Sequence, residues 1–236
     1  MNRLREFVRL PTGWIWAGGL EAFKFGRGGE GSTRCAGLML LIVLAQHADD
    51  QDGHARMTYD DLRLATGLSR AKIAFGLAVA EGHGLIARVP EQGASVYRLV
   101  GYDQTQGWAK LPASALYDRG GRLRAFHGIG VRGKASLDAV KLFLLCLAMR
   151  NNASNVAEVG YDVIARRAGI ARGDIARAKS LLIAHGLLLI EAQPMGYGAR
   201  TGSHLYRIPQ LDRHVHAGTR DYAASRGLDP VDSVEF

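Results

Sequence analysis

The chain has 236 residues, 47% of them hydrophobic, and sets 30 Lys and Arg against 22 Asp and Glu for a formal net charge of +8. That content suffices for one large core or two small ones, and the basic balance suits a polyanionic partner. Cys35 and Cys146, each inside an apolar run, exclude a disulfide framework and a four-cysteine zinc site. The longest apolar run, Ala36 to Ala45, is too short to span a bilayer, and Met-Asn-Arg-Leu-Arg-Glu does not read as a secretory leader, so a reducing bacterial cytoplasm and no membrane partner are expected.

In chain order, an extended lead-in at Phe7–Pro11 and a glycine-rich loop precede an apolar helix over Leu38–Ala48. Thr58 with Asp61 three residues later predicts a capped helix carrying Leu62 and Ala65, which Gly67 ends. Ser69 then caps a second helix with Ile73, Leu77 and Ala80 on its apolar face. Leu85–Val89 and Val96–Val100, separated by a polar interval, predict a hairpin. This stretch resembles the winged-helix family in Thr66-Gly67-Leu68-Ser69-Arg70 and His83-Gly84-Leu85-Ile86. The resemblance spans about forty residues and implies a helix-turn-helix followed by a wing, with DNA as the usual partner.

The text then recurs. A shift of 102 positions aligns Thr58–Val89 with Gly160–Glu191 without a gap: Tyr59-Asp60 meets Tyr161-Asp162, Gly67 meets Gly169, Arg70 meets Arg172, and His83-Gly84-Leu85 meets His185-Gly186-Leu187. The apolar helix reappears over Val140–Arg150, and the lead-in as Trp108–Pro112. The expected fold is mainly α with small β-hairpin wings (α+β), as two tandem winged-helix domains over 1–104 and 105–212 from an internal duplication, with a partly ordered tail over 213–236. A linker is placed near Tyr102–Gly107. The charge is uneven, with 12 basic and 11 acidic residues over 1–104 but 15 and 7 over 105–212.

Catalytic motifs are incomplete. Gly26-x4-Gly31-Ser32-Thr33 lacks the phosphate-loop lysine, and Gly128-x4-Gly133-Lys134-Ala135 lacks the hydroxyl residue. His214-Val215-His216 with Tyr222 resembles the text of rolling-circle nickases, but it lies in the short tail rather than on a central strand. His83 and His185 fit cap contacts. No enzymatic activity, cofactor or metal is expected.

The reading is therefore a non-enzymatic, sequence-specific binder of double-stranded DNA. Two unequal modules on one chain resemble the architecture of plasmid replication initiators, and a transcriptional regulator is the neighbouring alternative. Arg70 and Arg172, common to both copies, are the first candidates for base or phosphate contact, with Ser69, Lys72 and Arg177 adjusting the reading. Arg88, Arg98, Arg166 and Arg207 are candidate flanking contacts, Lys134 a candidate phosphate ligand at its loop, and Arg200 a candidate at the tip of a longer second wing over Ala192–Ser203. The alternative from another class is a protein-assembly module, in which the almost charge-balanced first copy forms a homodimer.

Overall fold

The computed structural model describes residues 4–91, 94–191 and 203–211. They form an α+β arrangement in which helices are combined with three small antiparallel sheets. The first half runs β1 (Phe7–Pro11), α1 (Gly13–Trp16), a 3-10 turn (Gly19–Ala22), α2 (Glu30–His47), β2 (His54–Arg56), α3 (Tyr59–Thr66), α4 (Arg70–Gly82), β3 (Ile86–Glu91) and β4 (Ala94–Leu99). The second runs β5 (Trp108–Pro112), a 3-10 turn (Ser114–Leu116), α5 (Arg124–Ile129), α6 (Lys134–Met149), β6 (Val156–Gly160), α7 (Tyr161–Ala168), α8 (Arg172–Ala184), β7 (Leu189–Glu191), β8 (Ser203–Arg207) and a last 3-10 turn (Pro209–Leu211). The predicted wing tip over 192–202 and the tail over 213–236, with Arg200, His214, His216 and Tyr222, lie outside the described residues.

The long helices start earlier than their apolar runs imply, at Glu30 instead of Leu38 and at Lys134 instead of Val140. The first turn of α2 is held by polar contacts: Ser32 Oγ and Thr33 Oγ1 both donate to Gly29 O, at 2.8 and 3.2 Å. Small residues then admit α4 at close range. A Cβ on Gly37 would lie 3.0 Å from Gly76 O, and one on Gly76 would lie 2.7 Å from Leu40 Cδ1. The helix-poor composition of that segment is thus the condition for its packing, which overrides propensity.

Each half closes with a three-stranded sheet. The hairpin β3–β4 pairs Ile86 with Leu99 through to Glu91 with Ala94, and β2 adds on the other side of β4. The order β2-β4-β3 has its counterpart in β6-β8-β7. Of the third strands, His54–Arg56 is too short to show an alternating pattern, whereas Val156–Gly160 does alternate, with Ala157 and Val159 buried, but runs directly into α7.

The two halves share one core, their lead-in strands pair with each other, and turns cross from each half to the other. β1 pairs antiparallel with β5, from Phe7 with Pro112 to Pro11 with Trp108, so the register is symmetric about Arg9 and Lys110. The Arg9 guanidinium lies 5.1 Å from the Trp108 ring centroid and the Lys110 ammonium 4.7 Å from that of Phe7. α2 packs on α6. The turn Gly19–Ala22 packs on α7 of the other half, and Leu123 N donates to Ala65 O of α3 at 2.9 Å. Buried side chains of both halves belong to one continuous cluster. Among the described residues no helix is long and apolar enough to cross a membrane.

Candidate nucleic-acid interface

The first helix-turn-helix is built by local hydrogen bonds. Thr58 Oγ1 accepts from Asp61 N at 3.1 Å, while Asp61 Oδ2 accepts from Thr58 N at 2.9 Å, completing a capping box that also holds the Asp61 carboxyl below its ordinary pKa. Gly67 closes α3 at φ +70°, where the His127 ring of the other half leaves no room for a Cβ. Ser69 Oγ caps α4 by accepting from Lys72 N at 3.3 Å. In the second unit Gly169 closes α7 at φ +60°, but Ala171 offers α8 no side-chain cap. Asp174 in the first turn of α8 supplies the favourable charge instead.

The shared arginines occupy equivalent places. Arg70 Nη2 lies 3.2 Å from Asp60 Oδ2, and Arg172 pairs with Asp162, so each clips the start of the second helix to the first turn of the preceding one. Both pairs are exposed, and such pairs contribute at most about 1 kcal/mol. The guanidiniums therefore remain available to a stronger anion.

Lys72, expected to adjust the reading, and its counterpart Asp174 instead face the long helices. Lys72 Nζ donates to Ser32 Oγ at 2.8 Å and Thr33 Oγ1 at 3.2 Å. Asp174 Oδ2 accepts from Lys134 Nζ at 2.8 Å, and Asp138 accepts from the same nitrogen at 2.5 Å. One joint is kept with its chemistry reversed, a lysine on α4 over hydroxyls in one half and an acid on α8 over a lysine in the other. Burial pulls the Lys134 ammonium down, but its bonds to Asp138 and Asp174 outweigh this and hold its pKa above the ordinary lysine value. The Lys134→Ala variant would leave Asp138, whose side chain is 4% exposed, without its nearest cation. A loss of about 2 kcal/mol is expected, less than for a fully buried pair because Lys134 is half exposed. Urea denaturation measures it, and unchanged stability would show that the carboxylates need no partner.

The remaining candidates divide into paired and free. Arg88 on β3 pairs with Glu81 of α4 at 3.3 Å, and Arg207 on β8 with Glu191 on β7. Arg98 on β4, Arg166 on α7 and Arg177 on α8 are exposed and carry no ion pair among the described residues. Arg167 was not singled out, yet it donates to Trp16 O and stacks over the Trp16 ring at 5.8 Å, joining α7 to the first half. His83 ends α4 and its ring lies 4.3 Å from that of Phe23.

No family model, curated protein or solved structure matches the chain. Function therefore rests on the site itself.

Among the described residues, one group brings metal-ligating atoms together, Asp49, Asp52 and His54, within 4.8 Å of one another. Its atoms serve the turn before β2: Asp49 Oδ1 accepts from the amides of Gln51, Asp52 and Gly53, and Asp52 pairs with His54 Nδ1. An open cleft of about 580 Å³ beside it is lined by Val8, Gln46, His47, Arg56 and Met57 among others. Burial holds the His47 imidazole below its ordinary pKa. These groups do not form a nucleophile–base pair or a phosphate cradle of the kind hydrolysis requires.

Proposed function

We propose that this chain binds double-stranded DNA sequence-specifically through two winged-helix units that are copies of one another, acting without catalysis in the bacterial cytoplasm as a replication-initiator-like protein of a mobile element. The observation that carries this reading is the repetition of one arrangement, helix, left-handed glycine, second helix and three-stranded sheet, with an exposed arginine opening the second helix each time. Such a helix fits the major groove, and the flanking hairpin meets phosphates. Arg98, Arg166 and Arg177 supply cations that no carboxylate neutralises among the described residues. A transcriptional regulator would use the same surface.

The double variant Arg70→Ala/Arg172→Ala tests the proposal. Melting should change little, because the two lost pairs are exposed. Affinity for a selected site should fall by about 1–3 kcal/mol for each arginine that reads a guanine. If the arginines hold phosphates, binding should weaken on all sequences, with a shallower dependence on salt. A second reading, an assembly module that dimerises through the first half, is favoured by Phe75 and Leu64, which are 62% and 41% exposed on α4 and α3. Unchanged DNA affinity in the folded double variant would decide for assembly.

A further inference from the structure

We infer that the chain reads an imperfect inverted repeat, with a thymine beneath Phe75 in one half-site and a guanine beneath Arg177 at the symmetry-related position of the other. This rests on the DNA-binding reading and specifies the orientation and content of the DNA.

The orientation follows from how the halves are joined. Units arranged head to tail would present equivalent surfaces in one direction and read direct repeats. Here β1 and β5 pair antiparallel in a register that maps onto itself when the halves are exchanged, and the contacts of Arg9 with Trp108 and Lys110 with Phe7 are exchanged with it. Only a two-fold axis does this. The crossing contacts agree: Gly67 is closed by His127 of the second half, and Gly169 by Glu21 of the first. A two-fold axis carries α4 onto α8 at the same height along it, so a duplex whose own two-fold axis coincides with it meets the two helices equivalently. Duplex DNA has two-fold axes across its grooves, and an inverted repeat extends that symmetry to the base sequence. The shared core fixes the distance between the helices.

The content follows from the differences between α4 and α8, whose residues correspond at a constant offset of 102 from Arg70 with Arg172 to Gly82 with Ala184. Lys72 and Asp174 are engaged with the long helices and drop out as readers. Phe75, 62% exposed, and Arg177, exposed and without an ion pair among the described residues, set an exposed apolar ring against an exposed cation at one corresponding position of the two helices. A phenyl ring makes apolar contact with the thymine methyl, and a guanidinium donates bidentately to guanine O6 and N7.

Selection of the full chain against random duplex DNA, followed by affinity measurements, tests the inference. The expected product is an inverted pair of half-sites at one spacing, with thymine and guanine at corresponding positions. Inserting about 5 base pairs, half a helical turn, between them should reduce binding to that of a single half-site. The Phe75→Arg variant, altered at an exposed position, should come to prefer guanine at both positions. Its discrimination at the former thymine should be about 5- to 150-fold, with the other half-site unchanged. Direct repeats, a single half-site, tolerance of the insertion, or a Phe75→Arg variant with unaltered base preference would each overturn the inference while leaving DNA binding in place. Failure to enrich any sequence would overturn the DNA-binding reading itself, and the inference with it.

Discussion

Replacing Phe126 by alanine is expected to cost about 3–5 kcal/mol and to lower the melting of both halves in one transition. The ring is 1% exposed and packs edge-on against Phe143 of α6, with centroids 6.4 Å apart and planes at 80°. The backbone that carries it is anchored in the other half, because Leu123 N donates to Ala65 O and His127 abuts Gly67. A void there loosens α5, and α5 lies on the end of α3. Differential scanning calorimetry, with backbone amide exchange resolved by segment, measures the outcome. A calorimetric enthalpy equal to the van't Hoff enthalpy is expected for a single cooperative unit. Two transitions, only one of them displaced by the Phe126→Ala variant, would show that the halves melt independently.

The second large effect concerns Lys141, which is 1% exposed and donates to Phe23 O at 3.1 Å and Gly169 O at 3.4 Å. Burial lowers its pKa to about 8 from the ordinary lysine value, with Asp138 opposing the shift. The folded protein therefore releases this proton near pH 8, whereas the unfolded chain keeps it until about pH 10.4. Between those values the unfolded state binds more protons, so this group's contribution to stability rises with pH. Below pH 8 the folded state carries the full penalty of a buried ammonium. The equivalent position in the first half is Met39, also 1% exposed, and the Lys141→Met variant copies that solution.

Relative to wild type, Lys141→Met should be most favourable below pH 8 and lose about 3 kcal/mol of that advantage by pH 10.5. The difference between the two proteins is the quantity to follow. Burial raises the pKa values of Cys35, Cys146, Tyr117 and Tyr206, which lowers the stability of both proteins as the pH climbs past 9. Chemical denaturation of wild type and variant from pH 7 to pH 10.5 gives the difference at each point. A difference independent of pH would mean that Lys141 keeps its proton throughout.

What was legible in the sequence was local. Thr58 with Asp61, Gly67 and Ser69 lie within a dozen residues of one another, and each acts on a neighbouring amide or turn, so their text carries the geometry. The pairing of β1 with β5 joins residues about a hundred positions apart, and the alternation within each strand does not name its partner. Lys141 is hidden inside an apolar run that reads as plain core helix. The joint between second and long helices was present in the text but divided. Lys72 stands over Ser32 and Thr33 where Asp174 stands over Lys134, a complementary exchange visible only when two separate differences between the repeats are read together. Arg70 and Arg172 were legible as a repeated pair, but their partners Asp60 and Asp162 were not recognised as such, because a contact ten residues away across a turn depends on how the helices cross.

The contacts that cross between the halves also set an order of events during synthesis. When the first half has left the ribosome, Leu20 and Phe23, both buried in the finished protein, still lack the α7 surface on which their turn packs. α3 likewise lacks the Leu123 amide that donates to its Ala65 O. Leu123 follows position 104 by about 20 residues and α7 by about 60, which at about 5–20 residues per second is an interval on the order of 1–12 s. Throughout it the nascent chain carries an open apolar face that its own remaining sequence must cover. A second nascent chain on the same message offers the same missing surfaces, so closely spaced ribosomes make exchange between two polypeptides the characteristic misassembly of this topology.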